Sequence, residues 1–71
     1  MDTLTKAKDQ LVAAIRAARR RQGLSQKELS IKSGVHQTNI SNIEKAVSNP
    51  SVETLFLLTN ALGLTIVVRG E

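Results

Sequence analysis

No cysteine occurs in the 71 residues, which removes disulfides and thiolate-bound metals from the possible frameworks. A single histidine, His36, is too few for a zinc site built on imidazole and thiolate. Tyrosine and tryptophan are missing and Phe56 is the one aromatic, so the stacking platforms of single-strand nucleic-acid binders are absent. No apolar run approaches the length of a membrane span, and the N-terminal MDTLTKAKDQ lacks the apolar stretch of a signal peptide. With no cysteine to mark secretion, the expected location is the cytoplasm. Asp2, Asp9, Glu28, Glu44, Glu53 and Glu71 are scattered, and no glycine-rich phosphate loop is present. Without clustered carboxylates, a nucleophile–base pair or a metal site, neither an enzyme nor a cofactor is expected.

What is present is aliphatic and basic. Hydrophobic residues make up 41% of the chain, enough Leu, Ile, Val and Ala to argue for a packed core over disorder. A domain of this size, with no covalent or metal staple, is marginally stable alone and often gains stability by dimerising. Ten Lys and Arg against six Asp and Glu leave a net charge of +4. That balance suits a polyanion, nucleic acid being the commonest, or simply a soluble basic surface.

The punctuation predicts four helices. The first runs from Leu4 to Gln22, capped by Thr3 or Thr5, with an apolar stripe of Leu4, Leu11, Ala14, Ile15 and Ala18. Gly23 ends it, and Arg16, Arg19, Arg20 and Arg21 crowd its last turns, where cations suit the helix dipole. Ser25 and Glu28 form a capping box that opens a second helix, Gln26 to about Ser33, with Leu29 as its core residue. Gly34 breaks it, and a third helix follows from His36 or Gln37 to Lys45, with Val35, Ile40, Ile43 and Val47 as its stripe. So short a connection makes the second and third helices cross steeply, as in a helix-turn-helix. Pro50 and Ser51 start a fourth helix, with Glu53 in its first turn, running to about Leu62 before Gly63. Val52, Leu55, Phe56, Thr59 and Leu62 can face the core, and Leu57 and Leu58 widen the apolar surface beyond one stripe.

The third helix has an unusual second face: Gln37, Thr38, Ser41, Asn42 and Lys45. An ordinary solvated face favours paired Glu and Lys. Short neutral groups that donate and accept hydrogen bonds suit base-pair edges in a DNA groove instead.

The tail LTIVVRGE changes period. Leu64, Ile66 and Val68 alternate with Thr65, Val67 and Arg69, a β-branched period-two pattern that predicts a strand. No other segment reads as a strand, and a lone strand leaves backbone groups unpaired. Pairing with the same strand of a second copy about a two-fold axis resolves this; the alternative is a tail packed on its own helices.

Gln26, Leu29, Ser30, Gly34, Val35, Ile40, Ile43, Glu44 and Pro50, in this order and spacing, resemble the helix-turn-helix pattern of the XRE family, to which phage Cro and repressor proteins belong. The resemblance covers about Ile15 to Gly63. It implies an all-α, four- to five-helix, lambda-repressor-like DNA-binding domain over residues 1–63, with the helix-turn-helix at about 25–45. Residues 64–71 form a short C-terminal strand and tail. The segment ALGLTIVVR is most similar to HipB-type antitoxins, in which a C-terminal strand pairs between subunits. Such proteins neutralise a HipA-type Ser/Thr kinase toxin and repress their own operon.

The resemblance also implies roles. The third helix enters the major groove, with Gln37, Thr38 and Asn42 reading bases and Ser41 a weaker candidate. Ser25 and Gln26 open the second helix and would meet a phosphate, although Ser25 serves equally as a cap. Lys45, Ser48 and Asn49 would meet the backbone beyond the third helix, with Lys27 and Arg20 as longer-range contacts. His36 fits a phosphate contact, a local cap or a plain exposed side chain. Arg19 and Glu44 match a structural ion pair. Leu57, where the family commonly has a polar residue, points with Leu64, Thr65, Ile66, Val67 and Val68 to a dimer interface. Ala46 departs from the family's usual glycine, which puts the path of the following loop in doubt.

The function that follows is a dimeric transcriptional repressor on double-stranded DNA with a palindromic operator, serving as the antitoxin of a kinase-like toxin. Two alternatives stand beside it: a stand-alone regulator, and a domain that chiefly binds and neutralises a protein partner.

Overall fold

The computed structural model describes residues 2–67, and the environment of their side chains from Lys6 onward. Within them the chain forms α1 (Asp2–Arg21), α2 (Gln26–Ser33), α3 (Gln37–Glu44) and α4 (Val52–Ala61). The all-α prediction is met by four helices. α1 and α2 each pack against both α3 and α4.

Local chemistry explains most of the boundaries. Ser25 Oγ accepts the Glu28 amide at 3.0 Å while Glu28 Oε1 accepts the Ser25 amide at 2.8 Å, so the capping box is formed. The Ser25 amide, and after it the Ser25 hydroxyl, hold the Glu28 carboxyl below its ordinary pKa. Ser51 Oγ accepts from the Thr54 amide at 3.1 Å and starts α4. α1 is already helical at Asp2, so neither Thr3 nor Thr5 occupies a cap position; the Ala- and Lys-rich run carries the helix through both.

Three helices end in the same hydrogen-bonded hook, a left-handed residue followed by an amide that reaches back five residues. In α1 and α4 that residue is glycine, Gly23 and Gly63, with Leu24 N–H donating to Arg19 O at 3.0 Å and Leu64 N–H to Thr59 O at 2.8 Å. In α3 it is Ala46 at φ 60°, with Val47 N–H donating to Asn42 O at 2.9 Å. The alanine thus takes up the conformation its family gives to glycine, at a cost of about 1–2 kcal/mol for the Cβ clash.

The core is aliphatic: Ile15, Ala18, Leu29, Val35, Ile40, Ile43, Leu55, Leu58 and Leu62. Ile15, Leu29, Ile40 and Leu58 are fully buried, each stabilising the fold by about 1.5–3 kcal/mol. Four stripe assignments need correction. Ala14 is exposed, because the loop after α3 covers α1 on the Val12 side instead. Val47 is 72% exposed, since α3 stops at Glu44 and the left-handed turn at Ala46 ends the helical period before it. Val52 and Phe56, at 66% and 52% exposed, do not face the core. α4 buries Leu55, Leu58, Thr59 and Leu62, a stripe at i, i+3, i+4 and i+7. Leu4 lies outside the described side chains.

The tail strand is not formed among the described residues. Residues 64–67 are irregular, with Leu64 and Ile66 half-buried and Thr65 and Val67 exposed. The predicted alternation is real, but a strand needs a second backbone to bond, and none of the four helices offers one. Val68 and Arg69 lie outside the described residues. No described helix is long and apolar enough to cross a membrane.

Candidate nucleic-acid interface

The polar face of α3 borders a shallow groove lined by Gln26, Gln37, Thr38, Ser41, Asn42 and Lys45. All four base-reading candidates are therefore brought to one surface. Gln37 and Thr38 are exposed, and Ser41 and Asn42 half-buried. Helical spacing aligns them, and the α2–α3 turn sets them beside the start of α2. Gly34 at φ 81° makes that turn, its amide donating to Ser30 O at 2.9 Å.

Beneath the groove a charged joint ties three helices together. Arg19 of α1 meets Glu44 of α3 through two parallel bonds, Nε to Oε2 and Nη2 to Oε1, both 2.8 Å. Its Nη1 donates to Leu24 O at 2.8 Å. Gln26 of α2 donates from Nε2 to Glu44 Oε1 at 3.1 Å. The ion-pair side chains are only 11% and 5% exposed. Burial pushes the Glu44 carboxyl up, but the hydrogen bonds from Arg19 and Gln26 and the charges of Arg19 and Arg16 outweigh it, so its pKa lies below the ordinary value. The hydrogen bond to Glu44 raises that of Arg19. Such a bidentate pair fixes orientation as well as distance, and here it sets the angle between α3 and the helices that carry it.

Gln26 thus has a role that sequence reasoning missed. It lines the groove, yet one of its amide hydrogens is committed to Glu44. No local pattern announces a bond across 18 residues.

The phosphate candidates divide. Lys45 stands at the end of the reading face, and Ser25 and Lys27 are exposed at the opening of α2. Arg20 is exposed in the last turn of α1. His36 is exposed and precedes α3 without any side-chain cap bond. Ser48 and Asn49 lie elsewhere, in a cleft lined by Lys8, Asp9 and Val12 of α1 together with Ile43, Ala46 and Pro50. Asn49 Oδ1 accepts a hydrogen bond from Lys8 Nζ.

The dimerisation candidates converge on another face. Leu57, Leu64, Thr65 and Ile66 line an apolar groove with Val52, Phe56 and Thr59. Leu57 is 41% exposed, and Val67, at 70%, stands outside the groove lining. Val68 lies outside the described residues. Among the described residues no cluster of His, Cys, Asp or Glu could hold a metal ion.

A family model described as helix-turn-helix matches residues 15–68. An uncharacterized HTH-type transcriptional regulator of Sinorhizobium fredii is 40% identical over 63 residues, covering 89% of this chain and 32% of that protein. Antitoxin HipB of Escherichia coli is 37% identical over 57 residues, 80% of this chain and 61% of that protein. Control protein C.SmaI of Serratia marcescens is 34% identical over 59 residues, 83% of this chain and 70% of that protein. The chain therefore spans between about a third and about two thirds of the curated relatives it matches. No solved structure matches it.

Proposed function

The chain belongs to the helix-turn-helix family of DNA-binding transcriptional regulators, and we propose that it is a sequence-specific repressor acting as a homodimer on a palindromic operator. The carrying observation is the gathering of Gln37, Thr38, Ser41, Asn42 and Lys45 around one groove on a rigidly held helix. Gln37 and Asn42 match adenine N6 and N7 in bidentate fashion, and Thr38 offers a methyl to thymine. Ser25, Gln26, Lys27, Lys45, His36 and Arg20 supply neutralising and hydrogen-bonding contacts to phosphates. The chain works by binding alone, without catalysis.

One helix reads only a few base pairs, so specificity requires a second copy about one turn of DNA away, ~34 Å. The groove between α4 and the tail supports this. Val52, Phe56 and Leu57 are exposed around it, and Leu64 and Ile66 stand half-buried in the alternation of a strand. A partner tail paired antiparallel would satisfy the backbone of residues 64–67 and cover the groove together.

A second reading adds a protein partner. The likeness to antitoxin HipB favours an antitoxin that neutralises a kinase-like toxin and represses its own operon. The likeness to a control protein favours a stand-alone regulator.

Footprinting of the upstream region, followed by competition with random duplex, tests the main reading. A protected palindrome that outcompetes random sequence is expected. Equal affinity for both sinks the specific-repressor reading. Co-purification with the product of a neighbouring kinase-like gene decides between antitoxin and stand-alone regulator.

A further inference from the structure

The loop joining α3 to α4, KAVSNPS at residues 45–51, carries one charge, that of Lys45 at its start, and none from Ala46 to Ser51. It leaves the C-terminal end of the reading helix, where the chain would meet the sugar–phosphate backbone, the surface that most protein–DNA hydrogen bonds use. Past Lys45 the loop offers hydroxyl and amide groups alone, which neutralise no phosphate and release no counterion.

The structure brings a cation to this loop from another element. Lys8 lies on the first half of α1, half-buried against the cleft that Ser48, Asn49 and Pro50 line, and its Nζ donates to Asn49 Oδ1. The two residues are 41 positions apart. The family match begins at residue 15, so Lys8 comes from a part of α1 outside the matched pattern. Asp9 lines the same cleft; among the described residues Lys8 and Asp9 form no ion pair, the recorded pair being Arg19–Glu44. An ammonium has three donors, of which Asn49 takes one. With its oxygen engaged by Lys8, Asn49 is left with its amide hydrogens as donors.

We propose that Lys8 and Asn49 together bind one DNA phosphate beside the C-terminal end of α3, Lys8 supplying the charge that the stretch from Ala46 to Ser51 lacks. The proposal rests on the DNA-binding reading. It differs from a brace between α1 and the loop, which would stabilise the fold without touching DNA.

The test is a salt titration of affinity, using the full chain and its footprinted operator duplex. Lys8→Gln keeps most of the stem and removes the charge. Lys6→Gln makes the same change two residues away, on the opposite side of α1, at an exposed position. Lys8→Gln is expected to flatten the slope of log K against log salt by about 0.9 per subunit, leaving the preferred sequence unaltered. Lys6→Gln should keep the wild-type slope, and Lys8→Arg should restore it. A Lys8→Gln slope equal to wild type overturns the proposal, whether or not the melting temperature falls. If the wild-type chain binds no duplex DNA, the reading beneath it fails as well.

Discussion

Ala46 and Glu44 sit two residues apart and illustrate opposite economies. Ala46 holds φ 60°, where an L-residue pays for its Cβ and glycine does not. Ala46→Gly should raise stability by about 1 kcal/mol, a gain of some 4–8 °C in a domain this small; a melting temperature that stays put or falls would mean that the loop relies on the methyl. Glu44 is the shared acceptor of Arg19 and Gln26. Glu44→Ala leaves the Arg19 guanidinium nearly buried without its partner, at a cost of ~3–5 kcal/mol, and should weaken DNA binding through loss of fold.

The pH dependence of this joint has a definite sign. The Glu44 carboxyl is held below the ordinary value of 4.5 in the folded chain, so the folded state favours the charged form more than the unfolded state does. Its contribution is complete above that ordinary value and is lost as pH falls through the lower, folded one. Thermal melts of wild type and Glu44→Gln should therefore differ most near neutrality and converge below pH 4.5. A constant difference down to pH 3 would contradict the linkage.

At the scale of elements, α3 and α4 carry distinct jobs on distinct faces. Gln37→Ala should relax base preference at one position, a loss of about 1–3 kcal/mol of discrimination. Lys45→Ala should weaken all sequences alike and flatten the salt slope by about 0.9. Competition between operator variants separates the two, and identical profiles would remove Gln37 from the reading set. On α4, Leu57→Lys places a charge in the apolar groove that Phe56, Leu64 and Ile66 share with it. It should yield monomers in sedimentation experiments while the helical spectrum is retained. An unchanged dimer would move the interface elsewhere.

Across the whole molecule, more was legible for α2 and α3 than for the ends of the chain. The Ser25–Glu28 capping box, Gly34 and the polar face of α3 are local patterns, and local patterns report local hydrogen bonding. The stripe of α4 was misread at Val52 and Phe56 because apolar residues surround most of that helix, so periodicity alone could not say which side meets α1 and α2. Ser48 and Asn49 were expected to meet the DNA backbone beyond α3; that the turn at Ala46 sets them in a cleft beside Lys8 was not legible, because Lys8 lies far away in sequence.

The sequence by itself determined the four helices, the caps at Ser25 and Ser51, the breaks at Gly23, Gly34 and Gly63, and the neutral polar face of α3. Each depends on residues within about two turns of one another. Only the tertiary structure decided that Gln26 joins Arg19 and Glu44, that Lys8 reaches the α3–α4 loop, and that Phe56 is left on the surface beside the tail. Those outcomes depend on how four helices pack, and packing brings together side chains up to 41 positions apart, between which the sequence carries no periodic signal.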